Sequence, residues 1–398
     1  MAARAYERAW ERNKSDEIMF SRMVQSYLIA GDLDNAIRVS RAVDVGFLTS
    51  EAKMVLAADA LINGRNAEVN SLLAQINLPA VRALYARQLQ AWALVMERKK
   101  DEAIAMAARP SGNRAVDKNA NYSRALLYQY LGDEDGALTA FSTAYDAGAR
   151  ASIGVVAYAR FLNTHRQKDK AIEILSEAGP QSDAPGWLLE VRNEIMAQSR
   201  APRAARGNAG NFKSFVGQSL GAIALGISGE SRLGSPLGEM AIASRFDGDL
   251  DILDLQSARI LYTIGNEASA IAKLSQIPAN SALGDVANTL RSNIVFEDDK
   301  PAGEAIALAA ATARPNPANR YNLAALYIAQ NKNIEGQRIF DDLIAQIGDK
   351  KAVDTGLEPS ALYFGRANAY IGQEKIDEAI ADFRKALTLD PENPHIMN

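Results

Sequence analysis

The chain has 398 residues, with 44 Lys and Arg against 48 Asp and Glu, two His and no Cys. Without Cys there are no disulfides, thiolate nucleophiles or zinc–thiolate sites, and a net charge of −4 lacks the basic surplus of a nucleic-acid binder. Apolar residues make up 48% of the chain but aromatics only 7%, and Ala is common, which suits close helix–helix packing rather than strands.

The first residues, Met1 to Trp10, are already charged and helix-like, with no apolar core of the kind an export signal carries. The longest nearly uncharged apolar stretch, Ser219 to Ser228, is far shorter than the roughly 20 residues needed to cross a bilayer. The chain therefore reads as soluble, with no transmembrane segment.

From Glu17 onward a pattern recurs. The unit opening at Glu17 places Val24, Tyr27, Gly31, Ala36 and Val43. The unit from Ser50 places Ala57, Gly64, Val69 and Leu73, and that from Leu84 places Ala91, Leu94, Ala103 and Ala107. The unit from Lys118 places Ala125, Tyr128, Gly132, Ala137, Phe141 and Ala144; that from Ser152 places Ala159, Leu162, Ala171, Leu175 and Ala178. Openings at 50, 84, 118 and 152 lie 34 residues apart. Small residues at positions 8 and 20 let two helices approach, and large ones at 4, 11 and 24 fill the space between them.

The period fails in the middle. A helix is expected from Trp187-Leu188-Leu189. Residues 199–211 hold three Arg, one Pro, two Gly and no acid, and read as a linker or long loop. A Gly-rich helical hairpin follows over about 212–246. Units then resume at Asp251, with Ala258, Leu261, Gly265, Ala270 and Leu274, and at Pro317, with Ala324, Tyr327 and Phe340 but Gly336 where Ala usually stands. A degenerate unit is expected over 285–316, with Ala305 in its second helix. About nine extra residues, including Gly348-Asp349-Lys350-Lys351, lengthen the next junction. The last unit, from Ser360, carries the whole pattern: Tyr363, Ala367, Tyr370, Ala379, Phe383, Ala386 and Pro391. The sequence thus divides into a block over 1–198, a linker over 199–211 and a second block over 212–398.

This pattern resembles the tetratricopeptide repeat. The resemblance implies an all-α fold, an α-solenoid of helix-turn-helix repeats coiled into a right-handed superhelix. The whole arrangement also resembles a group of long tetratricopeptide-repeat proteins of alphaproteobacteria, on Tyr122 to Ala144, Ala157 to Leu162, Gly221 to Leu225 and Leu362 to Ala367. That likeness implies a natural chain trimmed at both ends here. It favours a periplasmic or envelope-associated location slightly over a cytoplasmic one, with peripheral envelope association as one option. It carries no biochemical activity across.

In such repeats, positions 2, 5, 9, 12 and 13 of the first helix face the concave groove. The resemblance places Gln88, Trp92, Tyr122, Gln129, Tyr130, Arg160 and Asn163 there in the first block, and Arg259, Tyr262, Tyr321, Phe364 and Asn368 in the second. Tyr, Trp and Arg are the types enriched at interface hot spots. A basic residue at position 5 with Asn at position 9, the pair that clamps a C-terminal carboxylate, occurs in no unit.

Other chemistry finds little footing. His165 and His395 are 230 residues apart, and His165 is expected to be solvated in a turn. Gly217, Gly221, Gly226, Gly229 and Gly234 form no phosphate-binding fingerprint, and read as close packing with a turn at 228–231. Asp247-Gly248-Asp249-Leu250-Asp251 lacks the Gly and Glu of a calcium loop. Arg200, Arg203, Arg206 and Lys213 read as a solvated linker, or as a patch for anionic lipid. No metal or cofactor is expected. The expected function is a non-catalytic scaffold holding a peptide or partner helix in its concave groove. The alternative is a docking or regulatory part of a larger enzyme or envelope assembly machine.

Overall fold

The computed structural model describes residues 2–74, 76, 78–203, 207–229, 236–246, 250–348 and 357–391. Every regular element among them is helical. The chain forms two compact units, one of residues 1–174 and 198–264, the other of residues 175–197 and 265–398.

The first unit stacks helix pairs. After α1 (Ala2–Arg12), the first helices are α2 (Glu17–Ile29), α4 (Ser50–Ile62), α6 (Ala80–Met96), α8 (Arg114–Tyr130) and α10 (Ser152–Thr164). Their partners are α3 (Leu33–Arg41), α5 (Asn66–Leu73), α7 (Lys100–Ala107), α9 (Glu134–Asp146) and α11 (Lys168–Ala178), within which the unit boundary falls. The helices α13 (Phe212–Ser228), α14 (Leu237–Phe246) and α15 (Asp251–Thr263) complete the unit. The second unit contains α12 (Pro185–Ala197), α16 (Glu267–Leu274), α17 (Ala282–Asp298), α18 (Lys300–Ala313), α19 (Pro317–Ala329) and α20 (Asn333–Ile347). Its last pair is α21 (Pro359–Ile371) and α22 (Ile376–Leu389).

The 34-residue period has a backbone cause. Eight intra-pair turns put one residue in the left-handed region, at Gly31, Gly64, Arg98, Gly132, Arg166, Gly265, Asn331 and Glu374. All eight stand at position 15 of their units. In most of these pairs the next N–H reaches five residues back: Asp32 to the Tyr27 carbonyl, Asp133 to Tyr128 and Gln167 to Leu162, each at 2.9 Å. This is the Schellman closure, which satisfies carbonyls that the helix end would leave orphaned. Asp133 then caps α9 by accepting from the Gly136 N–H, and Asp32 caps α3 by accepting from Asn35.

The small residues lie where the pairs cross. Ala57, Ala91, Ala125, Ala159, Ala258, Ala324 and Ala367 at position 8 are fully buried, as are Ala36, Ala103, Ala137, Ala171, Ala270 and Ala379 at position 20. Gly336 replaces Ala because a Cβ there would fall 2.8 Å from the Ile328 side chain. In the degenerate pair α17–α18, Ala305 is exposed, and Gly303, Ala307 and Ala311 make the contact instead. A Cβ on Gly303 would fall 2.5 Å from that of Phe296, so the residue with no side chain sets the crossing.

Two parts of the chain are placed differently from the sequence division. Residues 198–264, including the Gly-rich hairpin, belong to the first unit, and residues 175–197 to the second. The reason is burial. On α13, residues 219–227 are buried without a break and so on every side, and a helix apolar all round must be covered all round. Its cover comes chiefly from α8, α6 and α10 on one side and α14 on the other. The segment expected as a linker or long loop is tied to the first unit at Asn208, whose carbonyl accepts from the Tyr130 hydroxyl at 3.3 Å, and just before it at Gln198, whose carbonyl accepts from Lys168 Nζ at 2.8 Å. Ala204 to Arg206, the 230–231 part of the expected turn, Gly234, Asp247 to Asp249, Asp349 to Lys351 and His395 lie outside the described residues.

Candidate partner-binding face

The first helices of the first unit build the face on which the expected groove residues were placed, and α13 and α14 lie on it. The packing is led by α8 against α13, flanked by α6 and α10, while α14 meets α2 and α4. Small residues on α13 set the approach. A Cβ at Gly221 would fall 2.9 Å from Ile153 Cδ1, and one at Gly226 would fall 2.8 Å from Asn119 Cβ.

Trp92 is fully buried in this contact. Its indole Nε1 donates to Ser219 Oγ at 3.1 Å, and that hydroxyl is 2.5 Å from Ser123 Oγ. The Trp92 ring stands edge-on to Tyr130 at 5.4 Å and to Phe212 at 5.8 Å. Tyr130 also meets Phe215 at 5.5 Å, and burial raises its phenol pKa. Tyr122 is fully buried; it donates to the Ala149 carbonyl at 3.0 Å, and burial pushes its pKa up. Gln88 is buried, its Nε2 donating to the Ala107 carbonyl at 3.3 Å, and Asn163 Nδ2 donates to Gln198 Oε1 at 2.8 Å.

Gln88, Trp92, Tyr122 and Asn163 are therefore interior residues of this unit rather than a surface open to a partner. Gln129 and Tyr130 are half-buried, and Arg160 is exposed. Arg259 and Tyr262 on α15 are half-buried in the same unit. His165 is not solvated as expected: it is half-buried, its ring tilted against that of Phe161 with centroids 4.1 Å apart, and Nε2 lies 3.4 Å from Glu134 Oε2.

One residue that the sequence reading passed over is central here. Glu239 on α14 is buried, with Oε1 3.1 Å from Arg82 Nε, and its backbone carbonyl accepts from the Tyr85 hydroxyl at 2.7 Å. Burial pushes its carboxyl above the ordinary range, against the pull of Arg82. The available signal was a lone acid in the otherwise uncharged stretch Leu237 to Ser244. At the hairpin's far end, Arg245 pairs with Asp34 at 2.6 Å.

The second unit keeps a first-helix face of its own, built by α17, α19 and α21. The described helices that pack most closely on α19 and α21 are their pair partners and neighbouring repeats. Tyr321, Phe364 and Asn368 occupy positions 5, 5 and 9 of α19 and α21, all half-buried. Tyr321 stands edge-on to Phe340 at 5.5 Å and Phe364 to Phe383 at 5.5 Å. Arg366 bridges the two repeats, binding Asp382 through Nε at 2.6 Å and Nη2 at 2.9 Å, and Asp341 through Nη1 at 2.8 Å. These bonds raise its pKa further, so the cation is permanent.

Among solved structures, the chain is similar to the APC/C hetero-tetramer Cut9–Hcn1, at 13% identity over 96% of this chain and 88% of that one, with a TM-score of 0.37. It is similar to yeast Tom70 at 14% identity over 99% and 82%, with a TM-score of 0.37. A tetratricopeptide repeat protein from Parabacteroides merdae matches at 11% identity over 70% and 96%, with a TM-score of 0.32. No curated protein matches the chain. The family model of the tetratricopeptide repeat matches residues 360–393, which take in α22 and all of α21 but its first residue.

Proposed function

We propose that the protein is a non-catalytic interaction scaffold, and that it holds an extended peptide or partner helix on the first-helix face of its second unit. The observation that carries this reading is the occupancy of the first unit's corresponding face by α13 and α14. A groove filled by its own chain, with Trp92 and Tyr122 inside it, has no room for another ligand. Tyr321, Phe364 and Asn368 offer what such a partner needs: aromatic edges for apolar contact and one amide to pair with a peptide backbone. The net charge of −4 favours a protein partner over a nucleic acid.

The test is peptide selection. The full chain is immobilised, random peptides are displayed against it, and the affinities of the selected peptides are measured for the parent and for Asn368→Ala and Arg160→Ala. The proposal expects Asn368→Ala to weaken binding at least about fivefold, the loss of roughly 1 kcal/mol of hydrogen bonding. Arg160→Ala should leave it unchanged. The opposite order would move the site to the first unit, and loss of affinity in neither variant would remove both faces.

A further inference from the structure

On α22, Ile376, Ile380, Phe383 and Leu387 fall within about 60° of one another at 100° per residue, a single stripe along the whole helix. Ile376, Ile380 and Leu387 are 51%, 42% and 39% exposed. The corresponding positions of the preceding second helix, α20, are Asn333, Gln337, Phe340 and Ile344, and there α21 and its turn cover them. Asn333 Nδ2 donates to the Gly372 carbonyl at 3.0 Å, Gln337 Oε1 accepts from Gln373 Nε2 at 2.8 Å, and Phe340 packs where a Cβ on Gly365 would fall 2.3 Å from its ring. The α22 face thus continues an interface already built within the repeat. Its two polar, turn-binding positions have become isoleucines.

We propose that this stripe is a self-association surface, and that its occupant is the same stripe of a second copy, laid antiparallel about a two-fold axis. The order of residues supports it. An antiparallel overlay centred between Ile380 and Phe383 sets Ile376 on Leu387 and Ile380 on Phe383, apolar on apolar throughout. The flanking charges agree. Asp377 and Arg384 are exposed on the same side of the stripe, two turns apart and too distant to pair within one helix. In the antiparallel overlay Asp377 of each copy meets Arg384 of the other, so the contact carries two such pairs, as an isologous interface requires. One helix face buries less than the roughly 800 Å² per partner of a stable complex. The dimer is therefore weak and depends on concentration.

The experiment is sedimentation equilibrium of the full chain over about 1 μM to 1 mM, with circular dichroism as the check on folding. The parent should shift from monomer to dimer. Asp377→Arg sets Arg against Arg at both pairs, and Arg384→Asp sets Asp against Asp, so each should weaken association at least about tenfold. An equimolar mixture of the two variants restores both pairs with opposite charge and should dimerise again. A parent that stays monomeric overturns the proposal and leaves the stripe to another protein or another segment. Dimers unaffected by both variants, or a mixture that stays monomeric, overturn it as well.

Discussion

Trp92 Nε1 and Ser219 Oγ lie 3.1 Å apart, a hydrogen bond spanning 127 positions of sequence, and it fastens the Gly-rich hairpin into the face formed by the first helices. The bond makes Trp92 a core residue whose loss acts on stability. Trp92→Ala should lower the unfolding free energy of the first unit by about 3–5 kcal/mol, through lost burial and the cavity left behind. Urea denaturation followed by far-UV circular dichroism checks this. A drop below about 1 kcal/mol would mean that the indole is not held as described.

The α13 glycines should resist the usual helix rule. Gly→Ala inside a helix ordinarily gains up to about 1 kcal/mol in propensity. At Gly226 the new methyl would meet Asn119 Cβ at 2.8 Å, and such overpacking costs about 1–3 kcal/mol. The clash outweighs the propensity, so Gly226→Ala should destabilise by about 1 kcal/mol or more. Gly186 in α12 has nothing within 4 Å of its Cβ position, and Gly186→Ala should be neutral or stabilising. Equal signs in a thermal melt of the two variants would contradict the packing argument.

Position 15 of the repeat allows a prediction in the opposite direction. Arg98, Arg166 and Glu374 adopt φ values of 63°, 64° and 62°, in a region that costs an ordinary residue about 1–2 kcal/mol. Changing each to Gly relieves that strain but adds freedom to the unfolded chain, for a net gain of about 0.5–1 kcal/mol per site. Gly132, at φ 74° with open space around its Cβ position, should lose about 1 kcal/mol on change to Ala. Melting temperatures of the four variants decide the matter.

How much of this was legible follows from what repeats and what does not. Ala57, Ala91, Ala125 and Ala159 mark crossings that recur locally, so their spacing exposed the helix pairs directly. Gly31, Gly64, Gly132 and Gly265 marked the turns, and the pairs that use Arg98 or Glu374 there were still found through their alanines. The destination of α13 was not legible as a groove filling. Its apolar, Gly-rich sequence from Ser219 to Ser228 announced burial, but not against what, because the partners lie in α6, α8 and α10, far earlier in the chain. The same gap misplaced Trp92, Gln88 and Tyr122: repeat position assigns a residue to the concave side without revealing that the side is filled. Tyr321 and Asn368 are half-buried in the second unit, where α19 and α21 pack chiefly on their pair partners and neighbouring repeats among the described residues.

Glu239 should give the hairpin a pH dependence of defined sign. Its carboxyl is buried beside Arg82, and burial holds its folded pKa above the unfolded value. The folded protein therefore binds a proton more tightly than the unfolded chain, and the slope of stability with pH is negative between the two values. The contribution is fully present below the unfolded pKa and is lost as pH rises through the raised folded pKa. Above it, the first unit carries a buried carboxylate that Arg82 only partly compensates. Glu239→Gln removes the titration and leaves the shape nearly unchanged. Relative to the parent, the variant should thus be more favourable at pH 8 than at pH 4, while the Tyr85 bond to the residue 239 carbonyl persists in both. Urea midpoints of parent and variant measured across that range test it. A difference that stays flat with pH, or one that favours the variant more strongly at pH 4, would show that Glu239 does not titrate within the folded hairpin as its surroundings require.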